Sequence, residues 1–349
     1  MNHSSRTTSP PPQHREQDHR SETAGDLVDG APLRRMDSPG LRPVVSTRRG
    51  PRWLAARHPI ATFLVVGLSS AYALMLVWGL AYHGAIPGGS LADKLHIAPD
   101  ELAGLLSVVG VFPTALFVIW AGEGRSGVTR HLRRMTHWRV SIGWWLLVLT
   151  GLPLITTGFA VVMGHSVRPV DLVGMVVSQL GLLAINLVMV NFWEEAAWAG
   201  LFQTRLERRH NIFAIAVLSA VPFALAHVPL QFFLPGEVTA TTLVVAFVLY
   251  FVVSALVRPM LATFLRGTGD SLLLVALLHS VFNRTNNDNG IVATLTSGDA
   301  RPIAMAIGPV LLTAAVAIPI RRRLTRNYRL MLDTASRYDR PTAGGGTTS

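Results

Sequence analysis

The sequence predicts an all-α membrane protein, a polytopic bundle of about eight transmembrane helices. Three observations carry that expectation. Half of the 349 residues are hydrophobic, and they gather into long blocks instead of recurring at a helical or strand period. Several windows of roughly 20 residues hold almost no charge, which is enough to cross about 30 Å of hydrocarbon. Short basic or Gly/Pro-rich links separate the blocks. A membrane therefore accounts for the net charge of +11 better than nucleic acid, which is not expected as a partner.

Residues 1–57 are rich in Ser, Pro, Arg and Asp and have no apolar period. They bury too little to offset the entropy of ordering and are expected to form a disordered, basic cytoplasmic tail. Arg48 and Arg49 have the look of a twin-arginine export signal. However, the apolar stretch beginning near Ile60 is long enough to span and lacks a small-residue cleavage site, so it reads as an uncleaved first span. His3, His14 and His19 are irregularly spaced and read as solvated side chains rather than a metal tract. Anionic lipid is the expected partner of such a tail.

Spans then follow near 59–82, 101–121, 141–163, 172–206, 211–230, 240–264, 270–284 and 302–320. The first three form an N-terminal transmembrane region over residues 58–169. The remainder form a second region over 170–320, followed by a basic cytoplasmic tail at 321–349. Span four is longer than one crossing needs and span seven is shorter. The links after spans two, four and six, with their flanks, hold ten arginines (Arg125, Arg130, Arg133, Arg134, Arg139, Arg205, Arg208, Arg209, Arg258 and Arg266). The other links hold four basic residues: Lys94, Arg168, Arg284 and Arg301. By the positive-inside rule both termini are cytoplasmic, which an even number of spans requires. Trp53, Trp120 and Trp138 fall near span ends, where an amphipathic ring suits the headgroup boundary.

There is no cysteine, which removes disulfides, thiolate metal sites and cysteine nucleophiles. Lys94 is the only lysine; the arginine bias points to a GC-rich genome and a bacterial cell membrane. Chemistry must then come from polar residues inside the spans, where such groups face a cavity or one another.

Three clusters qualify: Glu194 and Glu195 in NFWEEAAWAG, His227 in VPFALAHVPL, and His279 with Asn283 in LLLVALLHSVFN. Phe223 and His227 share a helix face at i, i+4, and so do His279 and Asn283. Counted from the turn at Arg208 and Arg209, Glu194 lies roughly 14 residues back and His227 roughly 18 onward, a depth difference of about 6 Å. His279 and Asn283 reach similar depth, so all are expected to meet in one intramembrane cavity.

A buried glutamate can act as general base on water, with a histidine holding that water. Asn283 and His279 can donate to the oxygen of a tetrahedral intermediate. Together they suit hydrolysis of an amide or ester within the membrane. Alternatively Glu194, His227 and His279 are three ligands of an open zinc site, with water as the fourth.

These clusters resemble the motifs EExxxR, FxxxH and HxxxN of the CPBP family of intramembrane proteases, which includes type II CAAX prenyl endopeptidases and proteins linked to bacteriocin self-immunity. The resemblance covers about residues 170–320. It implies an all-helical intramembrane (metallo)endopeptidase acting on a membrane-associated protein or peptide. Catalytic roles would fall to Glu194, Glu195, His227, His279 and Asn283, and any zinc ligands would be Glu194, His227 and His279. For a bacterial source the prenyl specificity is not carried over. Two other functions are open: a non-catalytic binding or immunity factor of the same fold, and a proton-coupled transporter using the Glu and His groups as a relay.

The sequence departs from the family at one point, where Ala199 stands in place of the motif arginine. Glu195 must then be protonated, face water, or be reached by another cation such as Arg205 or Arg284; otherwise the site is degenerate. On this reading, Ala199→Arg should stabilise the protein or raise its activity.

Overall fold

The computed structural model describes residues 50–299, 302 and 305–318. The C-terminal tail and most of the N-terminal tail, with His3, His14, His19, Arg48 and Arg49, lie outside them. The end of the expected N-terminal tail is not irregular: Pro51–Arg57 forms helix α1, with proline in the first turn, where its missing N–H costs nothing. Among the described residues the fold is all helical, with one isolated bridge between Val167 and Thr296.

Helix α2 (Pro59–Tyr82) is followed by the short α3 (Leu91–Leu95) and by α4 (Pro99–Met135). At the α2–α4 contact a Cβ on Gly110 would strike the backbone of Ala71, so glycine lets the two helices approach closely. The expected span 101–121 is only part of α4. The helix breaks at Gly124, where φ is 66°, and a second piece carries Arg125, Arg130, Arg133 and Arg134.

Helix α5 (Ile142–Val162) precedes α6 (Leu172–Asn186), which is capped by Asp171 accepting from the Val173 amide. The long fourth span then alternates in pitch. A π turn (Leu187–Asn191), α7 (Phe192–Ala197), a second π turn (Trp198–Gln203) and α8 (Thr204–Leu206) follow without interruption. The surplus length seen in the sequence is thus taken up partly by two π turns, which hold more residues per turn than an α-helix.

Helix α9 (Ile212–His227), capped by Asn211, runs into a 3₁₀ turn (Val228–Phe233). Helix α10 (Ala240–Gly267) starts with a reciprocal Thr239–Thr242 cap. Helices α11 (Leu272–Asn286), α12 (Ile291–Leu295) and α13 (Met305–Ile318) complete the described chain.

Among the described residues, six helical segments are long and apolar enough to cross a membrane. Helix α11, the expected seventh span, has 15 residues and reaches only about 22 Å. Nearly all of it is buried, so it is a central post surrounded by protein. Trp53, Trp120 and Trp138 are exposed and lie under Arg57, Arg52 and Arg139 at 5.2, 4.5 and 5.6 Å, the cation–π contacts suited to a headgroup layer.

Candidate active site

The two glutamates sit on α7 between the two π turns. A π turn leaves the helix with carbonyls that have lost their regular partners, and side chains take them up here. Trp193 Nε1 donates to the Val188 carbonyl at 2.8 Å, and Thr204 Oγ1 to that of Ala199 at 2.8 Å. Arg134 Nη1 donates to the Gly200 carbonyl at 2.9 Å. The same arginine bonds Thr204 and Asp270, so the second half of α4 ties the Glu-bearing span to the α10–α11 turn. Gly200 has no room for a side chain: a Cβ would lie 2.5 Å from His131 Cε1 and 2.9 Å from Leu272 Cδ1.

Glu195 is fully buried, and both its oxygens are occupied. Oε2 accepts from Arg258 Nη1 at 2.9 Å, and Oε1 accepts from His279 Nδ1 at 2.7 Å. The cation absent at position 199 therefore comes from α10. Neither arginine expected from the sequence supplies it: Arg205 pairs with Glu123, and Arg284 donates to Gln179 and Asn289. Position 199 is itself filled, since Ala199 is completely buried in the hydrophobic core.

Arg258, counted in the sequence as a link residue, is 2% exposed and lies nine residues before α10 ends at Gly267. Its guanidinium stacks 3.9 Å from the Phe223 ring centroid, a cation–π contact in a desolvated setting. The Phe223 ring also packs on His227, at 4.3 Å between centroids. The phenylalanine of FxxxH thus packs against both the cation and the imidazole. The sequence offered one overlooked signal for Arg258: an arginine nine residues inside an apolar helix sits about 13 Å deep, where it needs a partner.

Glu194 is buried and lies between the two histidines. Its Oε1 is 3.5 Å from His227 Nε2, and its Oε2 is 3.6 Å from His279 Nδ1. His227 Nδ1 bonds the Phe223 carbonyl at 2.8 Å. A carbonyl only accepts, so the proton is on Nδ1, and in the neutral imidazole Nε2 presents its lone pair toward Glu194. Asn283 Nδ2 makes a long bond, 3.4 Å, to Asn186 Oδ1. The other Nδ2 hydrogen is left over, because a carboxamide has two. His227, His279 and Asn283 line one cavity of about 590 Å³, with Arg258 and Phe223 in its wall.

Glu194, Glu195 and His279 present ligand atoms within 4.8 Å of one another, which overlaps the expected zinc set but exchanges His227 for Glu195. The donors fit an ion poorly. Both oxygens of Glu195 are engaged, one by a guanidinium, and the His279 nitrogen nearest Glu194 is the one bonded to Glu195.

Residues 176–285 match the family described as Rce1-like, type II CAAX prenyl endopeptidase Rce1-like. No curated protein matches the chain. The matched segment begins in α6, ends in α11 and holds Glu194, Glu195, Phe223, His227, His279 and Asn283, the residues that the helices bring together. Over this segment, 110 of the 349 residues, the chain is similar to the CAAX-protease-like family.

Proposed function

We propose that the protein is an intramembrane endopeptidase that hydrolyses a peptide bond of a membrane-associated protein by water activated between Glu194 and His227. The observation supporting this is the pairing of two acceptors, Glu194 Oε1 and His227 Nε2, at 3.5 Å. A gap of that size suits a water donating one hydrogen to each. Glu194 takes one proton as the water oxygen attacks the carbonyl carbon, and returns it to the leaving amine. His227, its tautomer held by the Phe223 carbonyl, orients the water.

The oxyanion is met by the spare Asn283 N–H and by His279. Since Nδ1 of His279 is committed to Glu195, donation to the oxyanion uses Nε2 and requires the imidazolium, whose charge Glu195 balances. Arg258 in turn holds Glu195 ionised and in place. Zinc would supply Lewis acidity if held by Glu194, His227 and His279, the last through Nε2, which its Nδ1 bond to Glu195 leaves free. The route drawn above needs no metal, because Glu194 and His227 activate the water.

The test uses protein purified in detergent and a library of membrane-tethered peptides. Cleavage of some members is expected, with loss in Glu194→Ala and His227→Ala and no dependence on stoichiometric zinc. A biological phenotype that survives in both variants would instead favour a binding or immunity factor. Proton-driven uptake into liposomes would favour a transporter.

A further inference from the structure

Helix α4 is longer than a membrane is thick. Its first piece, residues 99–123, already covers about 37 Å, more than the roughly 30 Å of hydrocarbon. The chain then breaks at Gly124, and the second piece, residues 125–135, continues at the depth of the headgroups. This piece has two faces. Gly127, His131 and Met135, spaced at i, i+4 and i+8, are buried, while Arg125, Thr129 and Arg133, at the same spacing, are exposed. Helix α1 adjoins the same end of α4, where Arg52 stacks 4.5 Å from the Trp120 ring centroid.

The carboxylates near this face are all engaged. Glu123 pairs with Arg130 and Arg205, Glu207 with Arg266, and Asp270 with Arg134. Arg52, Arg125 and Arg133 are exposed and have no carboxylate partner among the described residues. Apolar side chains are interleaved with them: Trp53, Leu54 and Leu132 are exposed too. A free anion would satisfy the guanidinium groups and leave those apolar side chains in water. A phospholipid with an acidic headgroup satisfies both, because it offers phosphate at the depth of the arginines and acyl chain beside the apolar groups.

We propose that α1 and the second piece of α4 form a docking site for acidic phospholipid, with Arg52, Arg125 and Arg133 taking the phosphates and Trp53, Leu54 and Leu132 meeting the acyl chains. The inner face of the same piece holds the Glu-bearing span: Arg134 donates to the Gly200 carbonyl, and His131 lies against Gly200. Lipid docked on the outer face therefore steadies the π turn Trp198–Gln203, which directly follows α7 and its glutamates. The site does not depend on the chemistry assigned to Glu194 and His227.

Full-length protein, stripped of lipid in a non-ionic detergent, is titrated with short-chain phosphatidylglycerol or with phosphatidylcholine of the same chains. Phosphatidylglycerol should raise Tm by at least about 3 °C and be retained in native mass spectra; phosphatidylcholine and inorganic phosphate should do neither. An arginine near an anionic headgroup is worth about fivefold in affinity, so Arg52→Gln, Arg125→Gln and Arg133→Gln together should weaken phosphatidylglycerol binding about a hundredfold. In about 1 M salt, where charge is screened beyond about 3 Å, the parent should lose its lipid preference as well, and that measurement needs no variant. Amide hydrogen exchange over residues 198–203 should slow with phosphatidylglycerol in the parent but not in the triple variant.

Equal stabilisation by the two lipids, or undiminished phosphatidylglycerol affinity in the triple variant, overturns the site. Stabilisation by inorganic phosphate to the same extent assigns the arginines to a free anion and overturns it likewise. Lipid bound without slower exchange over residues 198–203 overturns the link to the Glu-bearing span. None of these readouts involves cleavage, so they stand apart from the Glu194→Ala and His227→Ala assays that judge the peptidase reading.

Discussion

Arg258 supplies the cation that an arginine at 199 would supply in the family motif, from a helix position 63 residues beyond Glu195. Removing it leaves a fully buried carboxylate with His279 alone. Arg258→Ala should therefore lower stability by about 3–5 kcal/mol, the usual consequence of breaking a buried pair, with loss of peptidase activity. Thermal unfolding in detergent and single-turnover cleavage read the two effects. Arg258→Lys keeps the charge but not the flat fork that bonds Glu195 while stacking on Phe223; partial recovery of stability is expected, with activity well below the parent. Ala199→Arg, attractive from the sequence alone, should now be harmful. It forces a long side chain into a packed core and brings a second cation, costing about 1–3 kcal/mol or more. Combined with Arg258→Ala, the same substitution should regain part of what Arg258→Ala loses. A parent protein made more stable by Ala199→Arg alone would overturn this account of the site.

The π turns on either side of α7 depend on contacts from elsewhere, and Gly200 is where they are tightest. Gly200→Ala would push a methyl into His131 and Leu272 and should cost about 1–3 kcal/mol. His131→Ala in that background should return part of it, measured by the same unfolding assay. Much at the level of elements is legible in the sequence. Long uncharged runs mark the spans, and the i, i+4 spacings of Phe223 with His227 and of His279 with Asn283 mark faces that do converge. Two features are not legible. A π turn has no compositional mark, because Leu187–Asn191 reads like any apolar helix; only the excess length of the span hinted at it. The Glu195–Arg258 pair joins helices remote in sequence, and no local pattern of charge reports a contact of that kind. Arg205 and Arg284, the cations offered from the sequence, are both held by other partners.

The arrangement of the whole molecule divides the chain into an arginine-rich face and an arginine-poor one. Taking out Arg258 and Arg284, both buried within helices, the ten and four basic residues become nine and three, and the bias stands. A reporter fused after residue 349 should accordingly be active only in a cytoplasmic assay; a fusion active on the opposite side of the membrane would reverse the orientation. Most of the cavity wall, the Glu-bearing span and nearly all of the short post α11 lie in the matched segment, while α2 and α4 pack outside it. Placing the counter-ion of Glu195 on α10 also has an evolutionary consequence. Positions 199 and 258 serve one electrostatic requirement, so across related sequences they should vary together: arginine at the first with a small or apolar residue at the second, or the reverse. Searches that demand the arginine within the glutamate motif would discard members built like this one as inactive, although the charge they look for is present in space.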